Sequence, residues 1–558
     1  MSVTSCIKSI GGTQTLFIDG KPYPGVAYIT YLRDKARYRD FAEAGYRLFS
    51  TALFFGSNKL NSNSGLDVFS EGIYDSDEPD FSGFDRDLEH LFSVCPDAYV
   101  FPRVNVNPSA MWEADHPEEL CDRGSPATPE VRRSCLASDV WAKRAKDGLK
   151  GLVKHIESSP YRDRIIGYQL AGGNTEEWIP YDNGGFSGER SREAFRLSGR
   201  PDTEEEYYSF LADTVADRII ELSKYVKDLT GGRLIVGSFY GYTFELCFRH
   251  GAHQALGRLL RSPYVDFLCS PLSYAYTRPM GIEHAYMVPI DSIRLHGKLY
   301  FSENDTRTHL SEALCDLPNY LLPIWFGHPK PDTLEVLKMH YAKSLLHGHA
   351  CWWFDMWGGW YDDADYMSFM RRAREITEES AGLDSGSVSE VALFVDERAY
   401  SLVSDESGGR KFVHEARREL GLMGAPYDKY LAEDFDAVAE KYRAFILLEP
   451  AITERSLHIE AYAREHGIPI FKIERGTPAV TVDMLRQFLS ESGVHLYTDT
   501  EAVVFASESY VFIHTARDGV LKLSIPEKRV LTEVFTGKKL ADEIAVRRGQ
   551  SLLIRKDK

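Results

Sequence analysis

The sequence predicts an α/β chain built from a (β/α)8 TIM barrel, a small open α/β domain of the flavodoxin or amidotransferase type, and a C-terminal antiparallel β domain. Eight apolar runs alternate with amphipathic segments through about residue 380. A Gly/Ser-containing stretch at 381–397 then leads into new strands, and beyond about residue 500 short strands alternate with turn residues. The length of 558 residues agrees with several domains, since a single hydrophobic core stops growing at about 250–300 residues.

The barrel is predicted to occupy residues 1–384. Helical patterns separate the apolar runs; in 137–158, for example, apolar residues recur at helical spacing after a candidate cap, Ser138. Continuous apolar strands alternating with helices are typical of parallel strands covered by helices, so eight such units predict a β/α barrel. The eight candidate strands are 23–31, 46–55, 98–106, 164–170, 233–241, 265–274, 298–304 and 349–357.

Two further domains are predicted after a boundary near residue 385. Three strand-like runs alternate with helical stretches and predict a small open α/β domain over 385–500. These runs are 391–397, 443–450 and 468–474. Closely spaced strands and the turn signal Asp518-Gly519 predict a small β-sandwich-like domain over 501–558.

Composition restricts the partners of the chain. It carries 65 basic and 83 acidic residues, a net charge of −18, with no Lys/Arg run, which argues against nucleic acid or an anionic membrane surface as partner. The N-terminus lacks an apolar core of signal-peptide length, and no run reaches the roughly 18 apolar residues that a membrane span requires. We therefore expect a soluble, cytoplasmic protein that acts on a small neutral molecule.

The eight cysteines are scattered, with no C-x-x-C pair and no ligand-like spacing. This pattern favours reduced, buried thiols over a structural zinc, and we expect no metal and no cofactor. Domains of the shape predicted for 385–500 occur in class I glutamine amidotransferases, which need a nucleophilic cysteine, but no cysteine follows Cys351. A structural role is therefore predicted for that domain.

Carboxylates follow two of the predicted barrel strands. "GYQLAGGNTEEW" (167–178) places Glu176 and Glu177 after strand four, and "KLYFSENDTRTH" (298–309) places Glu303 at the end of strand seven. The catalytic end of a β/α barrel is the one at which its strands finish, and these two strands lie on opposing sides, so their acids face each other across the mouth. Two carboxylates about 5–5.5 Å apart suit a retaining glycosidase.

This arrangement resembles clan A of the glycoside hydrolases. The run "LFIDGKPYPG" (16–25) is also similar to the short β segment before the first strand of many members. The two following domains narrow the resemblance to the family 42 β-galactosidases and their relatives, including the family 164 β-mannosidases. The resemblance implies a cofactor-free, retaining exo-β-glycosidase acting on terminal β-linked sugars, with a middle domain that builds a homotrimer.

The resemblance also implies the roles of the acids. It makes Glu303, in "YFSEND", the nucleophile, with Asp305 as the weaker candidate. Clan A members usually carry adjacent Asn-Glu after strand four, whereas Asn174 is separated from both acids here. An acid followed by an aromatic residue matches the family register, so Glu177 is expected to be the acid/base. Glu176 is then outward-facing or a rim ligand, although the roles of the two neighbours remain exchangeable.

Supporting residues follow from the chemistry of an oxocarbenium-like transition state. Arg103, on strand three, can keep Glu303 ionised by ion pairing, although a buried structural arginine is the alternative. Asn105 or Asn107 can meet a sugar hydroxyl. The resemblance adds Tyr274 or Tyr276, after strand six, as a hydrogen-bond donor to the nucleophile.

The run "WWFDMWGGWYDD" (352–363) ends strand eight and carries four tryptophans within nine residues. Core packing is one interpretation, but sugar faces stack on aromatic rings, and glycines in the run leave a platform exposed. We favour a sugar platform formed by Trp353 or Trp357, with Asp355 as a hydroxyl ligand.

Three alternatives to the leading hypothesis stay open. A β-mannoside is ranked below a β-galactoside only because of the family resemblance. The altered Asn-Glu motif allows a catalytically inactive barrel that only binds glycans. An inverting mechanism requires a carboxylate separation of about 6.5–9.5 Å.

Overall fold

A computed structural model describes the chain over residues 2–57, 71–121, 132–180, 188–312, 325–526 and 530–557. It confirms the predicted fold class: a (β/α)8 barrel is followed by a small open α/β domain and by antiparallel β structure. Ahead of the barrel, β1 (Ser5–Ile10), β2 (Thr13–Ile18) and β3 (Lys21–Pro22) form an antiparallel sheet. The amide of Ser5 donates to the carbonyl of Arg233, so this sheet lies at the amino-terminal ends of the barrel strands, opposite their carboxyl-terminal ends.

All eight predicted barrel strands are present, and strands two and three are each interrupted. Every neighbouring pair is parallel, and the eighth strand pairs with the first, so the barrel closes. The strands are β4 (Val26–Ile29), β5 (Leu48–Phe49) with β6 (Ala52–Phe54), β7 (Tyr99–Val100) with β8 (Arg103–Asn105), β9 (Gly167–Ala171), β10 (Ile235–Phe239), β11 (Phe267–Pro271), β12 (Leu299–Asn304) and β13 (Ala350–Phe354).

Helices cover the outside of the barrel. In the predicted 137–158 segment, Ser138 caps α4 by accepting a hydrogen bond from the amide of Trp141, and the apolar stripe of this helix is buried. The helices of this part are α1 (Tyr38–Glu43), α2 (Ser82–Val94), α3 (Ala110–Asp115), α4 (Asp139–Ser158), α5 (Gly188–Leu197), α6 (Glu204–Leu229), α7 (Leu256–Leu260), α8 (Ile290–Leu295), α9 (Lys330–Leu346) and α10 (Ala364–Glu379).

The open α/β domain contains a parallel four-stranded sheet of order β15-β14-β16-β17. The three predicted strands are present, but the short β15 was not predicted, because "DKYL" carries two charged residues that hide its strand pattern. Its strands are β14 (Val391–Val395), β15 (Asp428–Leu431), β16 (Ala444–Glu449) and β17 (Ile470–Glu474). Its helices are α11 (Glu406–Gly421), α12 (Phe435–Val438), α13 (Glu454–His466) and α14 (Val482–Glu491).

The last part of the chain is antiparallel. Four strands form a sheet of order β18-β19-β23-β21, and two more pair as β20-β22. They are β18 (Ala502–Ala506), β19 (Tyr510–Thr515), β20 (Gly519–Lys522), β21 (Val530–Glu533), β22 (Glu543–Val546) and β23 (Ser551–Asp557). Across the described ranges, none of the helices combines the length and the apolar composition needed to cross a membrane.

Candidate active site

Arg103 and Glu303 meet at the carboxyl-terminal end of the barrel. Arg103 begins β8 and Glu303 lies near the end of β12; both are at least 95% buried, and Arg103 Nη2 lies 2.5 Å from Glu303 Oε2. Trp352 Nε1 donates to the same oxygen at 3.1 Å. Among the described residues no group donates to Oε1, so one carboxylate oxygen is anchored and the other is available.

The ion pair decides the charge of Glu303. Burial raises the pKa of Glu303, and the Arg103 guanidinium and the Trp352 hydrogen bond oppose that rise. Because an arginine stays protonated in proteins, a carboxylate at contact distance from it is held ionised at neutral pH. The pKa of Arg103 is raised in turn by its acidic neighbours, Glu303 foremost among them.

Glu177 is held by neutral donors. The Tyr242 hydroxyl donates to Oε1 at 2.8 Å and the Thr175 hydroxyl to Oε2 at 2.7 Å, and no described cation lies in contact. Burial raises the pKa of Glu177 to about 7, and the negative charges of Glu303 and Asp305 add to the rise. A carboxyl group with this pKa can both give and accept a proton near neutral pH.

Glu176 lies inside the barrel rather than on its rim. Its side chain is fully buried, Oε2 lies 3.5 Å from Arg103 Nη1, and the Tyr31 hydroxyl donates to the same oxygen. Burial raises the pKa of Glu176, while Arg103, Tyr31 and Asn105 lower it. The expectation of an outward-facing or rim position for Glu176 is therefore corrected: this acid shares the guanidinium that holds Glu303.

The loop after β9 sends two adjacent glutamates to different partners. Thr175, Glu176 and Trp178 have φ of 51°, 68° and 58°, in the left-handed region that residues other than glycine seldom adopt. Asn107 fixes the loop by exchanging two hydrogen bonds with the backbone of Gly173, at 2.8 and 2.9 Å. Trp178 is buried and donates to the Leu170 carbonyl at 3.1 Å. The strained turn thus separates the two carboxylates.

Two asparagines support this loop and its acids. Asn105 lies beside Glu176, and its side-chain oxygen accepts from the amide of Asn107 at 2.9 Å. Asn174 is buried, its amide donates to the Ile179 carbonyl at 2.8 Å, and its side-chain oxygen has no hydrogen-bond partner in the described structure. Of the three asparagines around this loop, Asn174 is therefore the one whose side-chain oxygen accepts no hydrogen bond from the described residues.

The tyrosines after strand six do not contact Glu303. The Tyr274 hydroxyl donates to Asp305 at 2.5 Å, and Tyr276 is 44% exposed at the start of three consecutive residues with positive φ. Asp305 also binds Arg278, with 2.7 Å between Nη1 and Oδ1, and Arg307. The Tyr274 hydroxyl is bound to the buried Asp305 carboxylate, so the expected hydrogen bond from a tyrosine to Glu303 is corrected.

In the tryptophan run, the residue that reaches the site is Trp352 and not the predicted Trp353. Trp352 pairs in register with Glu303 and faces the barrel interior, whereas Trp353 donates to the Tyr46 hydroxyl at 2.8 Å and packs against Phe369. Successive strand residues point to opposite faces, so only one of the two neighbours can reach the site. Trp353 belongs to the core between barrel and helices and is not a sugar platform.

Asp355 and Trp357 are also placed by the structure. Asp355 is fully buried and accepts from the Tyr28 hydroxyl at 3.0 Å and from the amides of Gly359 and Trp360 at 3.1 and 2.8 Å. Its side-chain oxygens accept hydrogen bonds from the turn that follows β13. The expectation that Asp355 binds a sugar hydroxyl is therefore corrected. Trp357 is 3% exposed and stacks on Trp325, with 5.4 Å between ring centroids, beside Tyr31.

Sequence reasoning missed Tyr31, Tyr242 and Trp352, which contact the three glutamates directly. A signal was present for the first two: each follows a barrel strand at the carboxyl end, where Glu177 and Glu303 also lie. Gln169 was also missed; its side-chain oxygen accepts from Arg103 Nε at 3.3 Å. Within the described ranges, no three His, Cys, Asp or Glu side chains are grouped so that they could hold a metal ion.

Solved structures of family 42 glycoside hydrolases are among those whose fold is similar to the fold of this chain. A β-galactosidase from Bacillus circulans sp. alkalophilus is 11% identical with a TM-score of 0.64, over 96% of this chain and 99% of that one. A catalytic mutant of a family 42 β-galactosidase from G. stearothermophilus is 10% identical with a TM-score of 0.63, over 100% of both chains.

A family 42 exo-carrageenase from Bacteroides ovatus is 13% identical with a TM-score of 0.59, over 99% of this chain and 84% of that one. No family model and no curated protein sequence matches the chain. At these identities the likeness is one of fold, and it extends over nearly the whole chain.

Proposed function

We propose that this chain is a retaining exo-β-glycosidase in which Glu303 is the nucleophile and Glu177 the acid/base. The observation that carries the proposal is the contrast between two carboxyl groups at the same mouth. Glu303 is paired with Arg103 and ionised, whereas Glu177 has only hydroxyl partners and a pKa of about 7. A double displacement requires one ionised and one protonated carboxyl group, and two different environments provide these two charge states.

In the first step Glu303 Oε1 attacks the anomeric carbon while Glu177 gives its proton to the glycosidic oxygen. The bond between the anomeric carbon and that oxygen breaks, the alcohol leaves, and an ester joins the sugar to Glu303. Arg103 and Trp352 hold Oε2 during the attack, which keeps Oε1 directed at the sugar.

The second step reverses the role of Glu177. The ester removes the negative charge of Glu303, which is one of the charges that raise the pKa of Glu177. Its pKa therefore falls, and the carboxylate accepts a proton from water as that water attacks the anomeric carbon. The ester bond breaks, and the sugar leaves with its original configuration.

The substrate we place first is a β-galactoside, with a β-mannoside second. Two of the compared structures are β-galactosidases and share the fold over 96% and 100% of this chain. Hydrolysis of nitrophenyl β-galactoside, β-mannoside, β-glucoside, β-fucoside and β-xyloside, followed by proton NMR of the first anomer released, tests the proposal. Release of the β-anomer supports it; the α-anomer would indicate inversion, and no turnover would favour a glycan-binding barrel.

We also propose a homotrimer joined through residues 385–500. The motive is a domain whose parallel sheet carries no group used in the proposed chemistry. Light scattering at micromolar concentration tests this assembly: a mass of three chains supports it, and a mass of one chain overturns it.

A further inference from the structure

Arg307 lies beside the reaction centre with half of its guanidinium unused. Its Nη1 donates to the carbonyl of Asp305 at 2.7 Å and to the carboxylate of the same residue. In the described part of the chain, Nε and Nη2 donate to no acceptor, and Nε is shielded from solvent. Nε and Nη2 form the edge of an arginine that presents two parallel N–H groups.

The surroundings of Arg307 add further donors without acceptors. The guanidinium lies over the rings of Trp325 and Trp360, at 5.6 and 5.3 Å from their centroids. The indole Nε1 atoms of both rings are buried, and neither has a hydrogen-bond partner in the described structure. Buried polar groups are almost always paired, so three neighbouring N–H donors without acceptors call for an acceptor from outside the described residues.

Two arginines share the carboxylate of Asp305. Arg278 and Arg307 both pair with Asp305, so two positive charges face one negative charge. Arg278 is occupied, since it also donates to the carbonyls of Leu272, Ser273 and Asp305. Arg307 is thus the arginine of the pair that retains free donors.

This cluster borders the space where the sugar reacts. Asp305 follows Glu303 by two residues, and its charge acts on both Glu177 and Glu303. Trp325 stacks on Trp357, which lies beside Tyr31, the partner of Glu176. Arg307 also lines a small cavity with Tyr274 and Arg278.

We propose that Arg307 binds an anionic substituent of the substrate sugar, a carboxylate or a sulfate ester, through its Nε and Nη2 donors. The proposal rests on the proposed glycosidase function and narrows its substrate class to charged sugars. A planar carboxylate or a sulfate accepts two parallel N–H bonds, which a single neutral hydroxyl cannot do. This proposal differs from the expectation of a small neutral partner, which the net charge suggested.

Paired substrates test the proposal. The carboxylate arm uses nitrophenyl β-galacturonide and β-glucuronide, the sulfate arm uses nitrophenyl β-galactoside 6-sulfate, and the neutral arm uses the corresponding galactoside and glucoside. At least one anionic substrate is expected to have a kcat/KM about 10-fold or more above its neutral partner. The arm that shows the preference identifies the anion.

Substitution of the arginine gives the second readout. Arg307→Met is expected to lower kcat/KM for the preferred anionic substrate about 10- to 100-fold and to change that for the neutral substrate far less. Arg307→Lys keeps the charge without the two parallel donors and is expected to fall between the two. Arg162→Met, which removes an arginine that is 46% exposed, is the matched control. If Arg307→Met does not fold, the proposal is tested by the kcat/KM values of Arg307→Lys and by the preference of the wild-type enzyme for anionic over neutral substrates.

Binding separates this inference from the glycosidase proposal. In the Glu177→Gln variant, calorimetric titration with galacturonate, galactose 6-sulfate and galactose is expected to show tighter binding of one anion, lost with Arg307→Met. If no glycoside is turned over but this binding difference remains, the glycosidase proposal fails and the anion site stands. If neutral substrates are preferred and Arg307→Met affects neutral and anionic substrates equally, the anion site is overturned.

Discussion

Arg103 bridges two buried carboxylates, with Nη2 at 2.5 Å from Glu303 Oε2 and Nη1 at 3.5 Å from Glu176 Oε2. A single positive charge therefore serves two acids inside a site that excludes most water. In such a site a carboxylate is ionised only where a cation or strong donors hold it. The shorter contact goes to Glu303, which is the group the proposed chemistry needs in its charged form.

Removal of Arg103 should affect both activity and stability. Arg103→Met leaves Glu303 buried without its cation, so we expect kcat/KM to fall by about 100-fold or more and the free energy of unfolding to fall by about 3–5 kcal/mol. Arg103→Lys retains the charge and should lose less of both. Steady-state kinetics and chemical denaturation measure the two effects; an active Arg103→Met enzyme would contradict the assigned role.

Glu177→Ala should show the leaving-group dependence of a missing general acid. Hydrolysis is expected to slow severely for poor leaving groups and much less for activated aryl glycosides, which depart without protonation. Azide should restore part of the activity by attacking the ester on Glu303. If Glu176→Ala shows this dependence and Glu177→Ala does not, the two roles are exchanged.

The pH profile should report the hydrogen bonds to Glu177. The Tyr242 and Thr175 hydroxyls lower its pKa by stabilising the carboxylate, so removing either bond raises that pKa. The alkaline limb of kcat/KM, set near pH 7 by loss of the Glu177 proton, should move to higher pH in Tyr242→Phe and Thr175→Val. An unchanged or lowered alkaline pKa in both variants would place the titrating acid elsewhere.

The ionised carboxylate of Glu177 should also destabilise the folded protein at neutral and alkaline pH. Its folded-state pKa of about 7 lies above the ordinary 4.5, so the folded protein binds the proton more tightly than the unfolded chain and loses stability as pH rises from 4.5 to 7. Glu177→Gln should therefore stabilise the protein by about 1–3 kcal/mol at pH 8 and little at pH 4.5. Denaturant titrations at both pH values measure this, and equal effects at the two would refute it.

Substitution of Trp352 should mainly lower activity, whereas substitution of Trp353 should mainly lower stability. Trp352→Phe removes a hydrogen bond to the charged Glu303 and should lower kcat/KM about 10- to 100-fold. Trp353→Phe removes a core contact with Tyr46 and should cost about 1–2 kcal/mol of stability while kcat/KM is largely kept. The opposite result would mean that the inward-facing residue is Trp353.

The sequence predicted the barrel because its strands are mainly apolar runs, a pattern that is typical of buried parallel strands. It also indicated Glu177 and Glu303, because acids at strand ends stand out against such runs. Orientation was harder to predict. Trp352 and Trp353 are equivalent in composition and differ only in strand register, and Glu176 differs from Glu177 through a strained turn that no periodicity reveals.

Contacts between residues that are far apart in the sequence could not be predicted from local sequence patterns. Tyr274 follows strand six as expected, but its partner Asp305 could be recognised only once Arg278 and Arg307 were seen on the same carboxylate. Ion pairing of Arg103 with Glu303, across 200 positions, was anticipated from chemistry alone, since a buried carboxylate needs a cation.

The identity of the nucleophile is the central claim, and trapping the covalent intermediate tests it most directly. A 2-deoxy-2-fluoro β-glycoside with a dinitrophenyl leaving group, made from the sugar that the enzyme hydrolyses best, slows release of the ester and lets it accumulate. Peptide mass spectrometry of the inactivated enzyme is predicted to find the fluorosugar on Glu303. A label on Asp305, Glu176 or Glu177 instead would contradict the account, as would rapid turnover with no label and release of the inverted sugar.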